Sequence, residues 1–213
     1  MTEPNRRATK RPPDLRPAAH HQRALNLALV ALDAASVRAR PTEMAHRLAE
    51  VAKCLQRMDD LRSADAYLER ALVWVALIPA GAADAMRADL LCTQAELACH
   101  AADRHDEQVE ALAEAGDEDL PAVPEARADR ERVRDLATEA ALLSGRGCDP
   151  MWEVKLLLRA SDVLDRCGEH DGAVAMQNRA MALMGLMNPD TAAAPAIPPS
   201  RDALRVAGPS SLM

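Results

Sequence analysis

Histidine, cysteine and carboxylate side chains carry the chemistry available to this chain, and their spacing decides whether it can be organised. His100, Asp103, His105 and Asp106 are the nearest approach to a metal cluster. They straddle the polar run Asp103-Arg104-His105-Asp106, which is expected to interrupt a helix and so to scatter the ligands. His170, between Glu169 and Asp171, occupies a similar turn later in the chain and reads as a solvated group. His20 and His21 are adjacent, so on a helix they point about 100° apart and cannot chelate together. Asp162 and Asp165 have the proximity of an acid–base pair. Such a pair works only around a held substrate, and the surrounding sequence offers neither a pocket nor a partner histidine.

Cys54, Cys92, Cys99, Cys148 and Cys167 contain no CxxC pair. Cys92 and Cys99 can share a helix face, and the pattern reads as reduced interior thiols. There is no Gly-rich phosphate loop, no HExxH pair and no serine elbow. A non-enzymatic protein is expected, with no catalytic, cofactor-binding or metal residues and no cofactor.

The elements that position these groups are helical. Proline and glycine gather at the termini and at a few breaks, and no interval alternates β-branched residues, so the fold class is all-α. The 213 residues suffice for one helical domain with a sizeable core, or for two small ones. Phe is absent, and Tyr67, Trp74 and Trp152 are the only aromatics, so the core is built from Ala, Leu, Val and Met. A formal charge of −7 argues against nucleic acid as a partner. Residues 1–18 form a basic, Pro-rich tail expected to be disordered, 19–187 the helical domain, and 188–213 a flexible Pro/Ala-rich tail. No apolar segment is long enough to span a bilayer, and the opening MTEPNRRATKRPPDLRPA lacks the apolar core of a secretory signal. The expectation by elimination is a cytoplasmic protein without membrane insertion.

The organising stretch runs from Pro41 to Pro79. Leu48, Val51, Ala52 and Leu55 recur at helical spacing, with Thr42 or Pro41 opening the helix. After Asp59-Asp60, a second helix carries Leu61, Ala64, Leu68, Ala71, Leu72 and Val75 on one face. So short a break makes a helical hairpin. A preceding helix is predicted over Ala19 to Arg40, turning Leu25, Ala28, Leu29, Leu32 and Ala35 inward. Further breaks are predicted near 79–82, 103–106, 116–124, 145–149 and 168–171, giving seven or eight helices. The 103–106 break would make a second hairpin, with Gln108, Leu112 and Ala115 in its second helix. Asp103 to Asp119 would form an acidic patch. In the last hairpin, Leu157, Ala160, Ser161 and Leu164 echo the first-helix positions, and Ala173, Gln177 and Ala180 echo Ala64, Leu68 and Ala71.

On these residues the chain resembles a degenerate tetratricopeptide-repeat protein, although Leu48, Ala52 and Leu55 replace the family's usual tryptophan, glycine and tyrosine. The resemblance implies antiparallel helical hairpins stacked as a short solenoid. It also implies a groove, lined by the first helix of each hairpin, that holds a peptide or a helix of another protein. The implied protein-binding residues are His46, Lys53, Gln56 and Arg57, with Lys155, Asp162, Asp165 and Arg166. Ala49 and Lys53 stand where the family's carboxylate clamp has lysine and asparagine, so that clamp is not expected. The alternative is a structural or assembly subunit, including a homo-oligomer, motivated by Met176, Met181, Met184, Leu186 and Met187.

Overall fold

The computed structural model describes residues 16–114, 123–146 and 149–185 of the protein. The 1–15 part of the basic tail, the 188–213 tail, residues 116–122 of the expected linker, and Ala115, Cys148, Leu186 and Met187 lie outside the described residues. Among the described residues there are seven α-helices and no strand. They are α1 (Arg16–Ser36), α2 (Pro41–Arg57), α3 (Leu61–Val75), α4 (Asp84–Glu114), α5 (Val123–Ser144), α6 (Pro150–Arg166) and α7 (His170–Leu183).

Local chemistry explains most of the boundaries. Arg40 occupies the N-cap of α2 without a side-chain hydrogen bond, and Pro41 takes the first turn. Its ring-fixed φ suits that position, so Thr42 is displaced from the cap. The Asp60 carboxylate accepts the Ser63 N–H at 3.1 Å to open α3. Asp149 accepts the Met151 and Trp152 N–H groups at 3.0 and 3.2 Å to open α6, with Pro150 next to it. Replacing such a cap by alanine costs about 1 kcal/mol. α1 begins at Arg16 and ends at Ser36, earlier than Arg40, because the chain leaves the helix through a turn in which Ala39 adopts φ 45°.

The expected break at 103–106 does not exist. α4 is one helix of 31 residues, about 46 Å long at 1.5 Å per residue. Between Gly81 and Gly116 there is no glycine or proline to stop it, and polar residues alone do not end a helix. Neighbouring elements hold the run in place instead: Asp103 pairs with Arg166 of α6, Arg104 with Asp59 of the α2–α3 turn at 2.6 Å, and Asp106 with Arg130 of α5. The expected second hairpin therefore disappears. Gln108 and Leu112 are exposed on the last turns of α4, and the hairpin partner of α4 is α5.

Residue pairs fix the helix directions. Arg87 pairs with Glu139 and Asp106 with Arg130, so α4 and α5 are antiparallel. Asp89 and Glu96 meet Arg159 while Asp103 meets Arg166, so α4 and α6 run the same way. Glu153 meets Arg179 and Asp165 meets His170, making α6 and α7 antiparallel.

The core has three connected parts, and α4 enters all of them. Leu90 and Leu97 join Leu48, Val51, Ala64, Leu68 and Ala71 beneath α2 and α3. Ala95 and Cys99 join Val133, Ala137, Leu157, Leu164, Ala173, Met176 and Ala180. Ala88, Leu91 and Cys92 meet Ala140, Leu143 and Leu156. Leu48, Leu68, Leu156 and Leu157 are fully buried, each contributing about 1.5–3 kcal/mol. Two inward expectations fail. Leu29 remains 37% exposed on α1. In α7, Gln177 is exposed and Met176 fills the place expected for it, 3% exposed, because an apolar side chain gains more than an amide from that position.

Candidate protein-interaction surface

The buried stripe of α2 runs through Met44, Ala45, Leu48, Val51, Ala52 and Leu55. On the opposite side, His46, Lys53 and Arg57 are exposed and Gln56 is half-buried. Steps of seven and four residues bring the three exposed side chains onto one line of the helix. Lys53 and Arg57 make no ion pair among the described residues. At the start of α2, an open concavity of about 420 Å³ is lined by Arg40, Pro41, Thr42, Glu43, His46, Arg47 and Met86. His46 is the candidate that reaches it.

On α6, Lys155, Asp162, Asp165 and Arg166 are all exposed. Two of them are engaged within the protein. Arg166 holds Asp103 of α4, and Asp165 meets His170 Nδ1 at 2.6 Å across the α6–α7 turn. Lys155 and Asp162 share their stripe with two side chains that sequence reasoning missed, Met151 at 60% and Leu158 at 45% exposure. The order Met151, Lys155, Leu158, Asp162 follows helical spacing. The signal was present in the sequence as an apolar pair seven residues apart within a charged face.

The α2 and α6 groups do not form one continuous patch. α2 packs chiefly on α1 and α3, whereas α6 packs on α4, α5 and α7.

Between α4 and α6 lies a polar seam that sequence reasoning also missed. Arg159 Nε and Nη2 donate to the two oxygens of Glu96 at 2.6 and 3.0 Å. Its Nη1 donates to Asp89 at 2.6 Å and its Nη2 to the Thr93 hydroxyl at 2.9 Å. Burial opposes the Arg159 cation, but the Glu96 hydrogen bonds and the neighbouring negative charges outweigh it and raise its pKa. Asp89, Thr93 and Glu96, at helical spacing on α4, form the polar line that meets Arg159. A second junction centres on Asp65, which accepts from Gln94 at 2.8 Å and from Arg132 at 2.9 Å. From α5, Arg130 and Arg132 thus supply cross-helix ties to Asp106 and Asp65.

These charges are committed to one another, an arrangement that positions the helices. Among the described residues, no three His, Cys, Asp or Glu side chains converge to hold a metal ion. Asp103 and Asp106 of the expected acidic patch are paired, leaving Glu107, Glu110 and Glu114 exposed. At the methionine-rich end, Met176 is core, Met181 is half-buried and Met184 is 39% exposed. No helix is long and apolar enough to cross a membrane among the described residues. Compared with models of protein families, with curated proteins and with solved structures, the chain matches none.

Proposed function

We propose that this protein is a non-enzymatic interaction adaptor, a short tetratricopeptide-like stack of helical hairpins that binds a peptide or helix of another protein. One observation carries the reading. The exposed stripe of α6 alternates apolar Met151 and Leu158 with charged Lys155 and Asp162. Apolar anchors framed by charges suit a partner helix or an extended peptide, the anchors supplying affinity and the charges register. The parallel course of α4 and α6, each followed by an antiparallel helix, supports the repeat-like reading. Lys53 and Arg57 on α2 add two positive groups one turn apart.

The test is a binding measurement with a purified partner obtained by affinity capture. Two folded variants are compared with the parent, one carrying Lys53→Glu with Arg57→Glu and the other Leu158→Glu. Loss of at least tenfold affinity, about 1.4 kcal/mol, is the expected result. Unchanged affinity in both variants rejects this placement.

An assembly subunit is the second reading, favoured by α1. Leu27 and Val30 are 72% and 68% exposed on its outer side, and Val37, just past its end, is 86% exposed. A concentration-independent oligomer in solution supports that reading, and a monomer supports the adaptor.

A further inference from the structure

The α4–α6 junction carries a pair of thiols. Cys99 on α4 and Cys167 at the C-cap of α6 lie 68 residues apart in sequence, yet their Sγ atoms are 3.9 Å apart. A disulfide bond is about 2.05 Å long, so closure needs a sulfur displacement of about 1.9 Å, within reach of side-chain rotation and small backbone adjustment. Cys99 is 1% exposed, whereas Cys167 is half-buried and opens toward solvent beside the α6–α7 turn. No other cysteine pair in contact occurs among the described residues, where Cys54 and Cys92 are each buried singly.

We propose that Cys99 and Cys167 form a reversible intramolecular disulfide by exchange with a small aliphatic disulfide, cross-linking α4 to α6. The Cys167 thiolate attacks one sulfur of the small disulfide, forming a mixed disulfide and releasing one thiol. The Cys99 thiolate then attacks Cys167 Sγ, breaking the mixed disulfide and releasing the second thiol. Both protein thiols are oxidised, the small disulfide is reduced to two thiols, and the two protons pass to the departing thiolates.

The order follows from access and charge. Burial pushes Cys99 up to about 12, and the neighbouring Cys167 adds to the rise. Burial also raises Cys167, but the Cys99 thiol and the Arg130 cation pull it back. Cys167 is therefore the thiol that ionises more readily and that a solution disulfide can reach. The link would lie beside the Asp103–Arg166 pair, fastening the same end of α6 that carries Asp162 and Asp165. The link bears on stability and thiol chemistry, independently of the binding role.

The experiment exposes the folded full chain to glutathione disulfide, blocks the remaining thiols after denaturation, and maps the linkages by mass spectrometry. The expected product is an intramolecular Cys99–Cys167 link, with Cys54 and Cys92 recovered as alkylated thiols. Thermal unfolding of that product should shift upward by about 4–16 °C relative to the reduced chain and return on reduction. The Cys99→Ser variant should stop at a glutathione adduct on Cys167. A link through Cys54, Cys92 or Cys148, linkage only between chains, or an undiminished thiol count overturns the proposal. An unchanged or lowered unfolding temperature in the mapped product, or no adduct on Cys167 in the Cys99→Ser chain, also overturns it.

Discussion

Arg159 of α6 grips Glu96 of α4 through both carboxylate oxygens, with Nε to Oε1 at 2.6 Å and Nη2 to Oε2 at 3.0 Å. The planar guanidinium matches the carboxylate fork, and its remaining donor takes Asp89. One side chain thus ties two turns of α4 to the middle of α6. The side chains are about a third exposed, with Arg159 at 33% and Glu96 at 29%, so water screens part of the attraction.

Replacing Arg159 with Met is expected to cost about 1–3 kcal/mol, because Asp89 and Glu96 lose their shared cation while much of the packing volume is kept. A denaturant-unfolding cycle with Glu96→Gln should show coupling between the two sites. Additive losses would mean that the pair does not act as a unit.

The continuity of α4 makes a sharper test. Arg104→Pro places proline in the interior of the helix, where it removes a backbone hydrogen bond and clashes with the preceding turn. The expected loss is about 3 kcal/mol or more. Arg104→Ala serves as the control for the Asp59 ion pair and should cost no more than about 1 kcal/mol. Equal stability of the two variants would restore the break at 103–106.

The contrast between Asp60 and Asp103 explains what was legible in the sequence. Asp60 acts through its own neighbour, Ser63, and the hairpin break could be read from a few adjacent residues. Asp149 and Gly145 mark boundaries in the same local way. Asp103, Arg104 and Asp106 are governed by Arg166, Asp59 and Arg130, partners distant in sequence, and their polarity mimicked a turn. The stripes of α2 and α3 were legible because each helix buries one face. α4 divides its apolar residues among three parts of the core, so its single-face pattern is weak. The candidate surface was half legible: Lys155 and Asp162 were visible as charges, but the exposure of Met151 and Leu158 depends on which side α4 and α7 cover.

The register of α7 gives a third prediction. Met176 lies in the core and Gln177 faces outward, although alignment with Leu68 favoured Gln177 for the buried place. Met176→Ala should therefore cost about 2–5 kcal/mol through lost burial and a residual cavity. Gln177→Ala should change stability by no more than about 0.5 kcal/mol. Thermal or urea unfolding distinguishes them, and the reverse ranking would require α7 to rotate by one residue.

The alkaline limit of stability should carry the signature of Cys92. Its thiol is fully buried among α4, α5 and α6. Burial pushes it up to about 12, against the pull of Arg159 and with help from Glu96 and Asp89, whereas the ordinary value is 9.0. Between about pH 9 and 12 the unfolded chain releases this proton and the folded chain retains it. The unfolded state then binds fewer protons, so unfolding becomes more favourable as pH rises. The contribution is fully present below about pH 9 and is lost as the folded value of about 12 is approached. Reduced parent protein should lose thermal stability more steeply over this window than Cys92→Ala, even though the variant starts lower through its lost packing. Because tyrosine and lysine titrate in the same range, the decisive quantity is the difference between the two pH profiles. Parallel profiles would show that the Cys92 proton is not retained by the fold.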